Sequence, residues 1–465
     1  MEFKMSNLVG RAIENSAKIE SLISELVHEV SGLEKNLTTV RPANPELAES
    51  SKQAFAQVGQ ARGRPLYYSF LGTGAGHGPY VELEDGSVKL DLINGIGVHI
   101  FGHAHPRLRE AMLRGALSDV VNQGNLEPNV EYARLSRSLS QLAGRNSRLK
   151  HVWLSTCGTM ANENALKMAR QKNSPAKLIL AMENAFAGRS TMMAEVTDNT
   201  AYKQGLPSYN EVLRVPFYDA KDPQSIEKSL RVLKQHVANN PGQIACFCFE
   251  PMLGEGGYRN APREYFVPLL EFCREQEIAV WADEVQTFMR TGELFAFETL
   301  GIGEYVDLCT VAKTLQVAAT IYTEDYNPKP GLVAGTFSGA SSALSAGVTS
   351  LQMITQEGYL GPNGKIAHIH KEFVGMLNRL NETTCKGLLR EAGGLGLMIS
   401  ATPLDGKNET VQKLLQKMFS HGLIAYSCGK DPVRLRFLVP AVMEPKDIEL
   451  AGKIMEKSIL ELAQG

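Results

Sequence analysis

Between residues 150 and 311 the chain alternates short apolar runs with amphipathic stretches, and that order limits the fold more than any other feature. Lys150 to Leu154 reads as a strand, Thr159 to Arg170 as a helix, and Lys177 to Ala181 and Gln243 to Phe249 as strands. A helix over Arg263 to Glu275 and strands over Ile278 to Ala282 and Val306 to Val311 continue the series. A mostly parallel sheet with helices on both faces is predicted, because each strand must be followed by a crossover. A ligand then belongs beyond the carboxyl ends of the strands. Within Ile244 to Phe249, Cys246 and Cys248 are two apart, which places both thiols on one face of the sheet.

The flanking regions follow other patterns. Gly78 to Asp91 suggests a hairpin turning at Asp85-Gly86. Ser341 to Gln356 and Lys365 to Leu380 read as long helices, with short strands near 396–402 and 434–438. Together they predict a smaller α+β domain. In residues 13–37, Ile19, Leu22, Ile23, Leu26, Val27, Val30 and Leu33 recur at helical spacing, so an amphipathic helix docked on the body of the fold or a neighbouring subunit is expected. The polar stretch 41–64 reads as a linker.

The chain's 465 residues suffice for two or three packed units. A net charge of -2 supplies no field to gather nucleic acid or an anionic membrane. No run approaches the ~20 apolar residues of a membrane helix. Met1 to Met5 begin no secretory signal, so a cytoplasmic location is expected. Seven cysteines, an odd number without CxxC spacing, suggest buried free thiols in a reducing compartment, with no metal site.

Three segments carry chemistry. In Leu154-Ser-Thr-Cys-Gly-Thr-Met-Ala-Asn162, a strand passes through small residues into a helix. Gly158 allows close backbone approach and Thr159 offers a hydroxyl and an amide, where a helix N-terminus favours an anion. A plain helix cap reads equally well from this segment alone. In Ala279-Val-Trp-Ala-Asp-Glu-Val-Gln286, Asp283 ends a strand. A carboxylate there can keep a pyridine nitrogen protonated, or can simply start a turn. In Asp307-Leu-Cys-Thr-Val-Ala-Lys313, a lysine follows an apolar strand. A desolvated amine can attack an aldehyde; the other reading is a lysine reaching out at a sheet edge.

With Gly102-His-Ala-His-Pro106, Glu250-Pro-Met-Leu-Gly-Glu-Gly-Gly257 and Asp283-Glu-Val-Gln-Thr287 followed by Arg290-Thr-Gly292 and Leu294-Phe-Ala-Phe297, these segments resemble class III, fold-type I aminotransferases. The resemblance runs from about residue 65 to 445, and it covers the ω-aminotransferase branch of acetylornithine, 4-aminobutyrate and lysine 6-aminotransferases. It implies a pyridoxal 5'-phosphate cofactor and an α/β fold: a large domain with a mostly parallel sheet of the seven-stranded type, and a smaller α+β domain. Residues 1–60 are then an N-terminal helix and linker, 61–110 the first part of the small domain, 111–345 the large cofactor-binding domain and 346–465 the C-terminal small domain.

The resemblance also implies roles. Lys313 is the Schiff-base lysine and, once released, the base that moves the substrate proton. Asp283 pairs with the pyridine nitrogen, Val285 packs under the ring, Gln286 lies near its phenolic oxygen and Phe186 covers the other face. Gly158 and Thr159 hold the phosphate, and Thr336 reaches it from the partner subunit, which implies a homodimer with shared active sites. Arg189 matches an arginine for a distal carboxylate, and Arg436 one for the α-carboxylate of glutamate. Glu255 matches a gate that covers Arg436 until 2-oxoglutarate or glutamate enters. Strand alternation cannot separate Arg436 from Arg434, two residues earlier.

The sequence also departs from the family. Lys313-Thr-Leu-Gln-Val-Ala-Ala319 lacks the glycines common after the lysine, which adds Cβ atoms to that loop. The run is similar to the lysine 6-aminotransferase pattern. Ala187 stands where a histidine or tryptophan is frequent. Ile96 stands where ornithine aminotransferases carry a tyrosine, which argues against free ornithine. The expected reaction moves the ω-amine of a diamino acid, acylated diamino acid or ω-amino acid to 2-oxoglutarate, giving glutamate. An aminomutase, racemase or decarboxylase would use the same Lys–Asp pair, but a single-substrate isomerase has no need of Glu255 as a gate. A non-catalytic binding protein on the same scaffold is the third reading.

Overall fold

The computed structural model describes residues 8–118 and 126–464. Met1 to Met5, read above for a signal, lie outside them. Seven strands form the central sheet: β1 (His151–Ser155), β2 (Leu178–Met182), β3 (Val212–Val215), β4 (Ile244–Phe249), β5 (Ala279–Asp283), β6 (Leu308–Val311) and β7 (Ala318–Tyr322). Their order is β1-β7-β6-β5-β4-β2-β3. All neighbours run parallel except β7, which is antiparallel to β6 and β1. Sequence reasoning placed β1, β2, β4, β5 and β6 to within two residues; it passed over β3, β7 and the helix Ser225–Asn239.

Both faces of this sheet are covered, which is why its strands read as continuous apolar runs. Every residue of β4 and β5 is buried. Cys246, Cys248 and Trp281 pack with Leu166 and Met168 of helix Gly158–Lys172 on one side. Phe247, Phe249 and Val280 pack with Phe266 and Leu270 of helix Arg263–Glu275 on the other. The alternation expected for the two thiols holds. Cys157 alone among the cysteines is exposed.

Two four-stranded sheets lie outside the central one. The expected hairpin is Tyr80–Leu83 paired with Val88–Asp91, and Leu423–Ile424, over 300 residues on, adds to it in parallel. Leu389–Leu395, Met398–Pro403, Arg434–Leu438 and Tyr426–Cys428 make the second.

The N-terminal helix Ala17–Glu34 docks on its own chain. Glu34 is buried and accepts both terminal nitrogens of Arg109 at 2.8 Å. Of its apolar stripe only Ile23 and Val27 are buried, while Leu22, Leu26 and Leu33 remain exposed. The linker expected over 41–64 is corrected: Ala48–Arg62 is helical, closed by Gly63 at φ 71. Its polar composition hid it, since the helix buries only Ser51. Among the described residues no helix is long and apolar enough to cross a membrane.

Candidate active site

A cavity of about 340 Å³ opens beyond the carboxyl ends of β1, β5 and β6. Asp283, the last residue of β5, pairs in register with Thr310 of β6, three residues before Lys313. Parallel pairing thus brings an acid and an amine that are 30 positions apart in the chain to one opening, and both line it. Gly158, Thr159, Phe186, Val285, Gln286 and Glu255 line it as well.

Asp283 is buried. Asn162 donates to its Oδ2 at 2.7 Å, and the Val285 N–H donates to Oδ1 at 3.0 Å. Burial pushes its carboxyl up to about 6, against those two donors and the charge of Lys313. A cation placed against Asp283 would therefore be strongly favoured. Burial acts on Lys313 in the opposite direction, lowering its ammonium to about 8, so a neutral amine is accessible near physiological pH. Lys313 adopts φ 52 and Gln316 φ 67, left-handed values for non-glycine residues. Gln316 is thus strained where many members of the resembled family have glycine, and its side chain lines the cavity and donates to Val98 O at 3.3 Å.

The wall facing these groups starts the helix Gly158–Lys172. Its N-cap, Cys157, makes no side-chain capping bond. A Cβ at Gly158 would come within 2.7 Å of Val285 Cγ1, so only glycine lets this backbone reach the cavity beside Val285. Gly188 is confined in the same way against the Thr159 hydroxyl, at 2.5 Å.

Glu255 and Arg436 form an ion pair. Burial would lower the Arg436 guanidinium, but Glu255, with Tyr258 and Cys428, raises it above its usual range. Arg434 donates instead to the carbonyls of Gly257 and Glu391. The side chains thus separate what strand alternation left open: Arg436 is the arginine with a carboxylate partner.

Four expected residues do not line this cavity; one of them, Arg436, is buried behind Glu255. Arg189 is exposed, its guanidinium stacked 4.1 Å above the Tyr202 ring, which in turn meets Phe186 edge-on. Thr336 is exposed. Ile96 stands on a turn at φ 59, two residues from Val98, which does line the cavity.

Asn162, Glu250 and Arg290 were missed by sequence reasoning. Asn162 lies one helical turn after Thr159, a spacing that could have flagged it. Buried Glu250 accepts the backbone N–H groups of Phe186 and Gly254, each at 2.9 Å, and burial raises its carboxyl to about 8. Arg290 is buried and donates to backbone carbonyls on two segments.

The cavity suits pyridoxal phosphate on these grounds. It offers an amine, a desolvated carboxylate and a helix N-terminus approached through glycine. Gln286 Oε1 and Asn162 Oδ1, both buried, have no hydrogen-bond partner among the described residues.

Comparison with known proteins agrees with this chemistry. The family described as Aminotransferase class-III matches residues 68–459. Acetylornithine aminotransferase of Methanocaldococcus jannaschii is 30% identical over 400 residues, which cover 83% of this chain and 93% of that protein. 2-Aminoadipate transaminase of Pseudomonas putida is 30% identical over 407 residues, covering 83% and 95%. The structure of lysine aminotransferase from M. tuberculosis superposes with a TM-score of 0.78 at 21% identity, over 88% of this chain and 99% of that one.

Proposed function

The chain belongs to the class III aminotransferases, pyridoxal phosphate-dependent enzymes, and on that premise we propose that it moves an ω-amine to 2-oxoglutarate, releasing glutamate. The observation that carries this reading is the Arg436–Glu255 pair at the cavity wall. One pocket must admit two substrates of different charge in turn. With Glu255 on Arg436, the guanidinium is cancelled and a donor can present an amine far from its α-carboxylate. When 2-oxoglutarate enters, Glu255 turns aside and the planar fork of Arg436 takes the α-carboxylate. A racemase or aminomutase, working on one substrate, would have no use for the exchange.

Pyridoxal phosphate, when bound, supplies the electron sink for breaking the substrate C–H bond. Lys313 holds the cofactor at rest; its amine, once free, takes the proton from the carbon bearing the substrate nitrogen and later returns it. Asp283, oriented by Asn162, would keep a proton on the pyridine nitrogen. Val285 and Phe186 would flank the ring, Gln286 would face its phenolic oxygen, and Gly158 with Thr159 would receive the phosphate. Arg189 is the candidate for a distal carboxylate. Thr336, exposed and away from its own cavity, is suited to a partner's site, so the working unit is a homodimer.

The donor we favour is an acylated diamino acid, a diamino acid or an ω-amino acid. Support comes from the name of the acetylornithine relative and from Ile96, which offers no hydroxyl to the ammonium of free ornithine. The test is a panel of such donors with 2-oxoglutarate, read by glutamate formation. An ω-amine donor should exceed its α-amino counterpart, and glutamate formation from none of them would overturn the reading.

A further inference from the structure

Arg290 is 1% exposed and, among the described residues, has no carboxylate within ion-pair distance. Its Nη1 donates to the carbonyl of Gln286 at 2.8 Å and its Nη2 to the carbonyl of Gly97. A buried guanidinium with only neutral partners is costly to keep. Its partners show what it holds together. Gln286 and Val98, the residue after Gly97, both line the cavity, yet they belong to segments far apart in the chain.

The segment on the Gly97 side is unusual. Asn94, Gly95, Ile96 and Gly97 adopt φ of 50, 64, 59 and 82 in succession. L-residues visit this region singly, and a β-branched isoleucine there is strained. Asp91 Oδ1 holds the entry by accepting the N–H groups of Ile93 and Asn94, each at 2.9 Å. Asn94 Nδ2 donates to Leu438 O at 2.8 Å. Arg290 holds the exit. A Cβ at Gly97 would lie 2.6 Å from Arg290 Nη2, so this close approach depends on glycine. The carbonyl of Arg290 is itself anchored by the Leu397 N–H at 2.9 Å.

We propose that Arg290 is a positioning residue that joins two walls of the active site, tying the loop of Gln286 to the left-handed turn that sets Ile96 and Val98 and so fixes the donor side of the pocket. A guanidinium reaches both carbonyls at once because its fork is planar and rigid, whereas a lysine ammonium on a flexible stem cannot span them in that geometry. Its charge also opposes the ammonium form of Lys313. The donor role rests on the transaminase reading; the clamp itself does not.

The experiment compares the cofactor-loaded full chain with Arg290→Met and Arg290→Lys. Amide hydrogen exchange is read over residues 92–99 and, as a control, over β4. Both variants should exchange faster at 92–99 by about tenfold, the scale of one lost bond to a charged donor, with β4 unchanged. Donor KM should rise by about tenfold while kcat changes less than about threefold, with Arg290→Lys restoring cofactor content but not KM. Unchanged exchange at 92–99, or equal acceleration in β4, would overturn the proposal, as would a fall in kcat with KM unaltered. Should Arg290→Met fail to fold, Arg290→Lys decides alone. Exchange is measured without substrate, so an unaltered enzyme that fails to transaminate would count against the transaminase reading and leave the clamp to be judged by exchange.

Discussion

Arg436 is buried behind Glu255, and of this ion pair only Glu255 lines the cavity. A substrate carboxylate must therefore replace Glu255 to reach the guanidinium. In Glu255→Gln the amide cannot neutralise Arg436, which then stays available to carboxylates. KM for 2-oxoglutarate should fall and KM for an ω-amine donor rise, changing their ratio by about tenfold or more. Steady-state kinetics with each substrate varied in turn checks this, and both constants moving in the same direction would contradict it.

Gly158→Ala places a Cβ 2.7 Å from Val285 Cγ1 and 3.0 Å from Cγ2. Overpacking of this kind costs ~1–3 kcal/mol. Because Val285 lines the cavity and is proposed to pack against the ring, affinity for pyridoxal phosphate should weaken by about tenfold. An absorbance titration of cofactor-free enzyme measures it.

Burial holds the Glu250 carboxyl at about 8 in the folded chain, above its ordinary 4.5. Between those pH values the folded state binds the proton that the unfolded state has released, so this group lowers stability as pH rises. The slope is at most ~1.4 kcal/mol per pH unit for one proton. Urea unfolding of the cofactor-free enzyme at pH 5.5 and 7.5 should therefore show Glu250→Gln gaining on wild type at the higher pH.

If the active site is shared between subunits as proposed, two crippled variants should complement each other. Lys313→Ala lacks the amine and Thr336→Ala the residue lent to the partner, so a mixed dimer retains one intact site. Mixing the two after dissociation and reassociation should raise turnover above the sum of the separate preparations. No gain would show that Thr336 serves its own chain or neither.

Lys313 and Asp283 were legible because Asp283 ends an apolar strand and Lys313 lies two residues past the end of its neighbour, and parallel pairing converts those positions into proximity. Phe186, Val285 and Gln286, singled out through the motifs around them, line the same cavity. Asn162 and Glu250 sit inside segments read for other reasons; what makes them functional is a partner across the sheet, Asp283 for one and the Phe186 amide for the other. Arg290 was visible only as part of a motif, since no local pattern announces that a guanidinium will be buried between two carbonyls. The helix Ala48–Arg62 was hidden for the opposite reason: it buries almost nothing, so it has no apolar period to read.

The account depends above all on Lys313 meeting the cofactor across the cavity from Asp283. Loading the enzyme with pyridoxal phosphate, reducing it with borohydride and mapping the labelled peptide tests this most directly. A single pyridoxyl group on Lys313, with no label and no turnover in Lys313→Ala, is the predicted result. Label on another lysine, or Lys313→Ala turning over at the wild-type rate, would contradict it.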